Sequence, residues 1–368
     1  PSSAVVVGGG FVGLETAENL CHRGIPTTLV EAADQVLSPL DPELAIILQA
    51  ELERHGVEVI TGAALSAVEE SSVLLSDGRE VPAELVVASI GVRPDVRLAE
   101  MAGIAVGARG GIVVDHEGRT SDPAIFAVGD AVEKTDAVDG GASLIALANI
   151  ANRQGRRTAD AICGLDVPDS PSLGTAIVKV FDKVAAMTGW NAKRLEAAGR
   201  PFVRLRSHPM SHAGYYPGAE PMSLVLLVDP ATKLILGAEG VGSDGVDKRI
   251  DVLATAMTAG LEAPALAELE LAYAPPFSSA KDPVNMAENV LTGDSELFEA
   301  DETVGLVSSG WDLIDVRTPA EFAQGSVPGA KSIPLDELRE RVGELDGPAL
   351  VYCQVGQRGH TAATLLHE

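Results

Sequence analysis

The chain has 368 residues, 46% of them hydrophobic, and a formal net charge of −26. That length accommodates two or three domains of roughly 100–200 residues each, and the charge argues against nucleic acid and anionic membranes as partners, because both repel a polyanion. Three scattered cysteines, Cys21, Cys163 and Cys353, make neither a disulfide framework nor a Cys-x-x-Cys metal pair; with no apolar run near the ~18 residues of a membrane span, a reducing cytoplasmic setting and no metal are expected.

The first element is a buried parallel strand. In SSAVVVGGGFVGLETAENL the run Val5 to Val7 leads into Gly8, Gly10 and Gly13, a G-x-G-x-x-G turn, and a helix is expected from about Val12 to His22. The first glycine permits the turn, the second lets backbone approach a pyrophosphate, and the third lets helix and strand pack closely. Free N–H groups at the helix start point at the phosphates. A second strand in TTLVEAA ends at Glu31, 18 residues after Gly13. A carboxylate there accepts hydrogen bonds from ribose hydroxyls and repels a 2′-phosphate, so NADH is expected over NADPH. Asp41 and Pro42 then suit the cap and first position of a helix, with Leu44, Ile47, Leu48 and Leu52 on its apolar face. Gly56 stops it, and Val57–Ile60 suits another strand.

Further on, TSDPAIFAVGDAVE spans Thr120 to Glu133, with a short apolar strand expected at Ala124–Val128 and a Gly129-Asp130 turn at its carboxyl end. Open α/β sheets bind ligands at that end. Taken with the glycine turn, this order resembles the FAD-dependent pyridine nucleotide–disulfide oxidoreductases. In that family the NAD domain interrupts the FAD domain, and the chain completes the FAD site with T-x-x-x-x-I-[FY]-A-x-G-D. Thr120, Ile125, Phe126, Ala127, Gly129 and Asp130 match. The resemblance implies that Asp130 binds the FAD ribityl chain. It also implies that SIGVRP, Ser89 to Pro94, crosses from the NAD to the FAD domain, with Gly91 at a cofactor position. A family member carries two glycine fingerprints and a redox cysteine; the missing fingerprint and that cysteine are expected upstream of Pro1. Cys21 and Cys163 match neither, and both are expected to be packed thiols.

The middle third is richer in β pattern. Ile177, Val178, Val180, Val184 and Ala186 suit strands, and Asn191 to Gly199 suits a helix. MSLVLLVDPATKLILGAEGVG suits a hairpin turning at Asp229 to Thr232, and KRIDVLATAMTAGLE an amphipathic helix closed by Gly260. These segments resemble the family's interface domain. SHAGYYPGA and AYAPPFSSAKDPVNMAENV are similar, more narrowly, to coenzyme A-disulfide reductases and NADH-dependent persulfide reductases, in which two tyrosines reach the partner's active-site cysteine. Tyr215 and Tyr273 are carried over, and Tyr216 is set aside because adjacent residues point apart. A phenol there donates a hydrogen bond to a leaving thiolate or persulfide. His208 and His212 are expected to be structural.

After NVLTGD a polar, acidic linker, DSELFEADE, is expected. A new α/β unit follows: a strand over Leu313–Val316, a helix opened by Pro319 and Glu321, a turn at Pro328-Gly329-Ala330 into a strand, a helix over Leu335–Val342, and a strand ending at Cys353. Cys353 to Arg358 is a C-x-x-G-x-R turn before a helix. Successive N–H groups in such a turn make an anion nest; the helix start and the charge of Arg358 add positive potential, which favours a thiolate or persulfide on Cys353. This unit resembles rhodanese domains through Asp315, Val316, Arg317, Glu321, Phe322, Gly325, Pro328, Gly329 and Ala330, with Ser326 where histidine is usual.

The expected fold is α/β: a Rossmann-like NAD domain (1–91), the remnant of an FAD domain (92–170), an α+β dimerisation domain (171–293) and an incomplete rhodanese domain (294–368), all read as a fragment of a longer protein. The resemblance implies an FAD- and NADH-dependent reductase of coenzyme A disulfide or of per- and polysulfides, with coenzyme A as substrate or ligand, acting as a homodimer. Two rival readings are an NADH oxidase or peroxidase on the same scaffold, and a sulfur carrier that uses Cys353 alone.

Overall fold

A computed structural model of the chain describes residues 1–286, 300–354 and 356–367, the side chains of 300–302 and 357 excepted. It divides into two compact bodies, Pro1–Arg204 with Val225–Leu261, and Leu205–Leu224 with Glu262–Glu368.

In the first body, β1 (Ala4–Val7), α1 (Phe11–His22), β2 (Thr27–Val30), α2 (Pro42–Arg54) and β3 (Glu58–Ile60) alternate as a parallel sheet requires. An antiparallel meander follows, β4 (Leu65–Val68), β5 (Ser72–Leu75) and β6 (Glu80–Pro82), before β7 (Leu85–Ala88) rejoins the parallel sheet in the order β3-β2-β1-β7. β1 and β2 are buried throughout, which is why they read as continuous apolar runs rather than alternating ones. The chain continues through α3 (Arg97–Met101), the short pair β8 (Lys134–Thr135) and β9 (Ala142–Ser143), and α4 (Ala148–Ile162).

Next come β10 (Ala176–Val180), β11 (Lys183–Gly189), α5 (Ala192–Ala197), β12 (Val203–Ser207), β13 (Met222–Val228), β14 (Ile235–Gly242) and α6 (Val246–Thr258). The five strands form one sheet in the order β10-β11-β14-β13-β12. One apolar core joins Leu14, Leu44, Leu48 and Leu52 of α1 and α2 to Val178, Val180, Met187, Leu227 and Val241 of that sheet, so the helices of the parallel sheet and the five-stranded sheet share their interior.

In the second body α7 (Pro283–Met286) and α8 (Ala300–Ser308) precede β15 (Asp312–Asp315), α9 (Pro319–Gln324), β16 (Lys331–Ser332), α10 (Leu335–Arg341), β17 (Ala349–Tyr352) and α11 (Gln357–His367). β15 lies between β16 and β17, parallel to both, over a core of Ile314, Val316, Ile333, Leu338 and Ala362.

Four expectations are corrected. Ala124–Val128 is no strand: only Phe126 bridges, to Arg119, because no partner strand runs beside it among the described residues. Asp41 stands at the start of α2 without making a side-chain cap; its carboxylate accepts the Ala192 N–H instead (3.1 Å). Cys163 is exposed rather than packed, whereas Cys21 is partly buried and donates its S–H to the His55 carbonyl (3.2 Å). Ala300 to Glu302, the end of the supposed linker, already belong to α8; the rest of that stretch lies outside the described residues.

Candidate active site

The glycine turn is shaped by contact rather than flexibility. Gly8 has a φ of +105°, and a Cβ there would fall 2.4 Å from the Ser89 carbonyl. A Cβ on Gly13 would fall 1.8 Å from the Gly8 carbonyl, whereas one on Gly10 meets nothing within 4 Å. The turn is therefore closed at Gly8 and Gly13 and open at Gly10. Glu31 accepts the Gly9 N–H (2.6 Å) and the Ala33 N–H (2.8 Å), and the Gly9 carbonyl accepts the Leu37 N–H (2.8 Å). Leu37 is wholly buried with a φ of +45°, a conformation costly for a leucine and held by its surroundings. Neither the pinning of Gly9 nor the strain at Leu37 has a signature in the sequence.

Elsewhere in the first body, Gly129 to Ala131 form a 3-10 turn, with Gly129 at a φ of +82° and Asp130 exposed. The Gly129 N–H donates to Gln154 Oε1 (3.1 Å), and Lys134 Nζ donates to the Gly129 and Val132 carbonyls (2.5 and 3.0 Å). Burial holds the Lys134 ammonium below its ordinary value, against the pull of Asp130. A cavity of about 350 Å³ opens here, lined by Val128, Lys134, Arg153, Gln154 and Arg157 among others. Lys134 and Gln154, which shape the turn, carry no motif by which the sequence could have singled them out. Gly91 is exposed at a φ of +96°.

In the second body the phenols of Tyr215 and Tyr273, 58 residues apart, meet at 3.3 Å on the surface. That hydrogen bond, then burial, raises the Tyr273 phenol above its ordinary value. Tyr216 turns aside to the His212 ring, centroids 5.8 Å apart. His212 is buried, and His208 pairs with Ser223 (3.0 Å).

Cys353 follows β17 directly and α11 opens four residues later. Its sulfur accepts the N–H groups of Gly356 (3.1 Å) and Gly359 (3.4 Å). Gly356, at a φ of +92°, bends the backbone so that both reach. Arg358 differs from expectation. Both of its terminal nitrogens bind Glu321, at 2.8 and 2.7 Å, so its charge is largely compensated. Glu321 also completes a capping box with Thr318 at the start of α9. The hydrogen bond to Glu321, against the pull of burial, raises the Arg358 guanidinium above its ordinary value.

The described residues contain one group with metal-ligand spacing, Glu51, His55 and Asp182. Arg54 already sits among them, with Nη2 2.7 Å from Glu51, 2.7 Å from Asp182 and 3.0 Å from His55, and supplies the cation that the two carboxylates need.

Three family models match: pyridine nucleotide-disulphide oxidoreductase over residues 1–155, its dimerisation domain over 175–283, and the rhodanese-like domain over 299–368. A solved structure of reduced CoADR-RHD from Bacillus anthracis is 44% identical, covers 100% of this chain and 68% of its own, and superposes with a TM-score of 0.94. An NAD-dependent persulfide reductase from A. fulgidus is 36% identical at the same coverage, with a TM-score of 0.88. Two curated relatives, an NADH oxidase from Methanocaldococcus jannaschii and a coenzyme A disulfide reductase from Staphylococcus aureus, are each 34% identical over 77% of this chain. The chain spans less than two thirds of their length, 63% and 64%. On this evidence the chain belongs to the pyridine nucleotide-disulphide oxidoreductases and carries that family's dimerisation domain and a rhodanese-like domain.

Proposed function

We propose that this chain is part of an NADH-dependent flavoprotein that reduces sulfur–sulfur bonds, those of coenzyme A disulfide or of per- and polysulfides, and that holds sulfane sulfur on Cys353. The observation that carries the reading is the exposed phenol pair, Tyr215 and Tyr273 at 3.3 Å. Two phenols in hydrogen-bond contact on the surface are suited to donate a hydrogen bond to a thiolate leaving group. The names of the Staphylococcus aureus and A. fulgidus relatives support the same chemistry.

The other residues take roles that their surroundings fit. Gly8 and Gly13 shape the turn, and the open face at Gly10 with the start of α1 receives the NADH pyrophosphate. Glu31 accepts from the ribose. Asp130 stands exposed beside the Gly129 turn as an acceptor for the FAD polyol, with Gly91 a second cofactor position. When bound, FAD supplies the two-electron relay between nicotinamide and sulfur. Cys353, its sulfur held by two backbone N–H groups, receives or delivers sulfane sulfur, and Arg358 braces the loop against α9. The dimerisation domain supports a homodimer, and three free cysteines accord with the reducing cytoplasm.

The test is NADH consumption by the full-length enzyme with coenzyme A disulfide, coenzyme A persulfide and hydrogen peroxide in turn. Faster turnover with a sulfur substrate is expected, and Tyr273→Phe lowers kcat by roughly 10- to 100-fold while NADH binding stays unchanged. Faster turnover with peroxide establishes instead the oxidase reading, which the name of the Methanocaldococcus jannaschii relative favours. A flavin spectrum that NADH bleaches excludes a sulfur carrier without reductase activity.

A further inference from the structure

The charge balance at the Cys353 loop bears on the choice of sulfur donor. Two arginines approach the loop, and each already has a carboxylate. Arg358 gives Nη1 and Nη2 to Glu321 at 2.8 and 2.7 Å. Arg317 gives Nε and Nη2 to Asp315 at 2.9 and 2.7 Å, and Nη2 reaches the Gly325 carbonyl at 2.6 Å. Asp315 is fully buried. Glu321 is held in place from a second side, since it accepts the N–H and hydroxyl of Thr318 (2.9 and 2.7 Å). Arg358 first and Thr318 second keep its carboxyl far below the usual carboxylate range, so it stays anionic. Burial, then the Lys281 ammonium, holds the His360 imidazole below its ordinary value. Among the described residues, the donors to the sulfur are the backbone N–H groups of Gly356 and Gly359. Such a nest suits one negative charge on sulfur. Among the described residues, Arg358 and Arg317 bring it no uncompensated charge, which a compact dianion demands.

Resting on the reading of Cys353 as a sulfur acceptor, we propose that the loop takes sulfane sulfur from donors whose reacting S–S head carries at most one negative charge, organic persulfides above all, and that Glu321 disfavours the thiosulfate dianion by neutralising Arg358. In the favoured step the Cys353 thiolate attacks the outer sulfur of R–S–SH. A new S–S bond forms on Cys353, the old S–S bond breaks, and R–S⁻ leaves with the bonding pair and later takes a proton from water. The thiolate's single negative charge leaves on R–S⁻, with no net oxidation. With thiosulfate the same attack expels sulfite, and a thiolate must first meet a dianion.

The experiment follows the mass of the Cys353 peptide as it gains one sulfur in the full-length enzyme, with glutathione persulfide or thiosulfate as donor. The wild-type enzyme loads from the persulfide at least about tenfold faster. Glu321→Gln keeps the side chain's shape and one acceptor for Arg358 but leaves the guanidinium charge uncompensated; the thiosulfate-to-persulfide ratio then rises about tenfold. Arg358→Gln, which leaves Glu321 unopposed, moves the ratio the other way and serves should the first variant fold poorly. Equal or faster wild-type loading from thiosulfate, or a ratio that neither variant moves, overturns the proposal. Uptake from neither donor overturns the assignment of Cys353 as a sulfur acceptor, and this proposal with it.

Discussion

At Gly13 a single methyl group decides whether the turn can close. The Cβ of Gly13→Ala would sit 1.8 Å from the Gly8 carbonyl, which is backbone with nowhere to go. Overpacking of this kind costs about 1–3 kcal/mol, and NADH affinity in a fluorescence titration falls with the lost turn geometry. Gly10→Ala makes the opposite case: its Cβ meets nothing within 4 Å, so thermal stability holds while NADH binding drops. Glu31 closes on Gly9 through its carboxylate, and on the proposed reading the same carboxylate also meets the ribose. Glu31→Gln keeps an acceptor for the Gly9 N–H but removes the charge that repels a 2′-phosphate. The NADPH-to-NADH ratio of kcat/KM therefore rises about tenfold; an unchanged ratio shows that cofactor choice lies elsewhere.

The elements around Cys353 show how far local rules reach. A strand, a glycine turn and a helix were legible from LVYCQVGQRGHTAATLL alone, because strand period, turn residues and helix start all lie within a few residues of one another. The capping box of α9 is equally local: Thr318 and Glu321 are three residues apart, and Pro319 sits at the first helical position. Thr318→Ala removes the cap at a cost of about 1 kcal/mol, and hydrogen exchange of the α9 amides rises while that of β15 stays slow. Asp41 marks the limit of such rules. Its spacing suits a cap, yet its carboxylate serves Ala192, 151 residues away. The apolar run Ala124–Val128 likewise has strand composition and no ladder, since composition supplies the residues of a strand but not its neighbour.

Across the whole molecule the five-stranded sheet buries Glu239 against the start of α2, where it accepts the Asp41 N–H (2.8 Å). Burial first, then the Asp41 charge, raises its carboxyl from 4.5 to about 8, so the folded chain keeps a proton that the unfolded chain releases. The stability this confers is complete below about pH 4.5 and is lost as pH rises through 8. Glu239→Gln matches the wild type in Tm at pH 5 and exceeds it at pH 9, the gain amounting to about 1–3 kcal/mol; identical Tm curves across that range contradict the assignment. Nothing in ILGAEGVG hints at this, because a glutamate in a strand reads as solvent-facing until the layer above it is known. The sequence by itself determined the glycine turn after β1, the turn between β17 and α11, and the family, since each depends on spacings of a few to some twenty residues along one backbone path. Only the tertiary structure decided that Tyr215 meets Tyr273, that Glu321 cancels the charge of Arg358 from 37 residues away, and that Glu239 is buried. Such pairings are set by where distant segments cross, and no local period encodes the crossing.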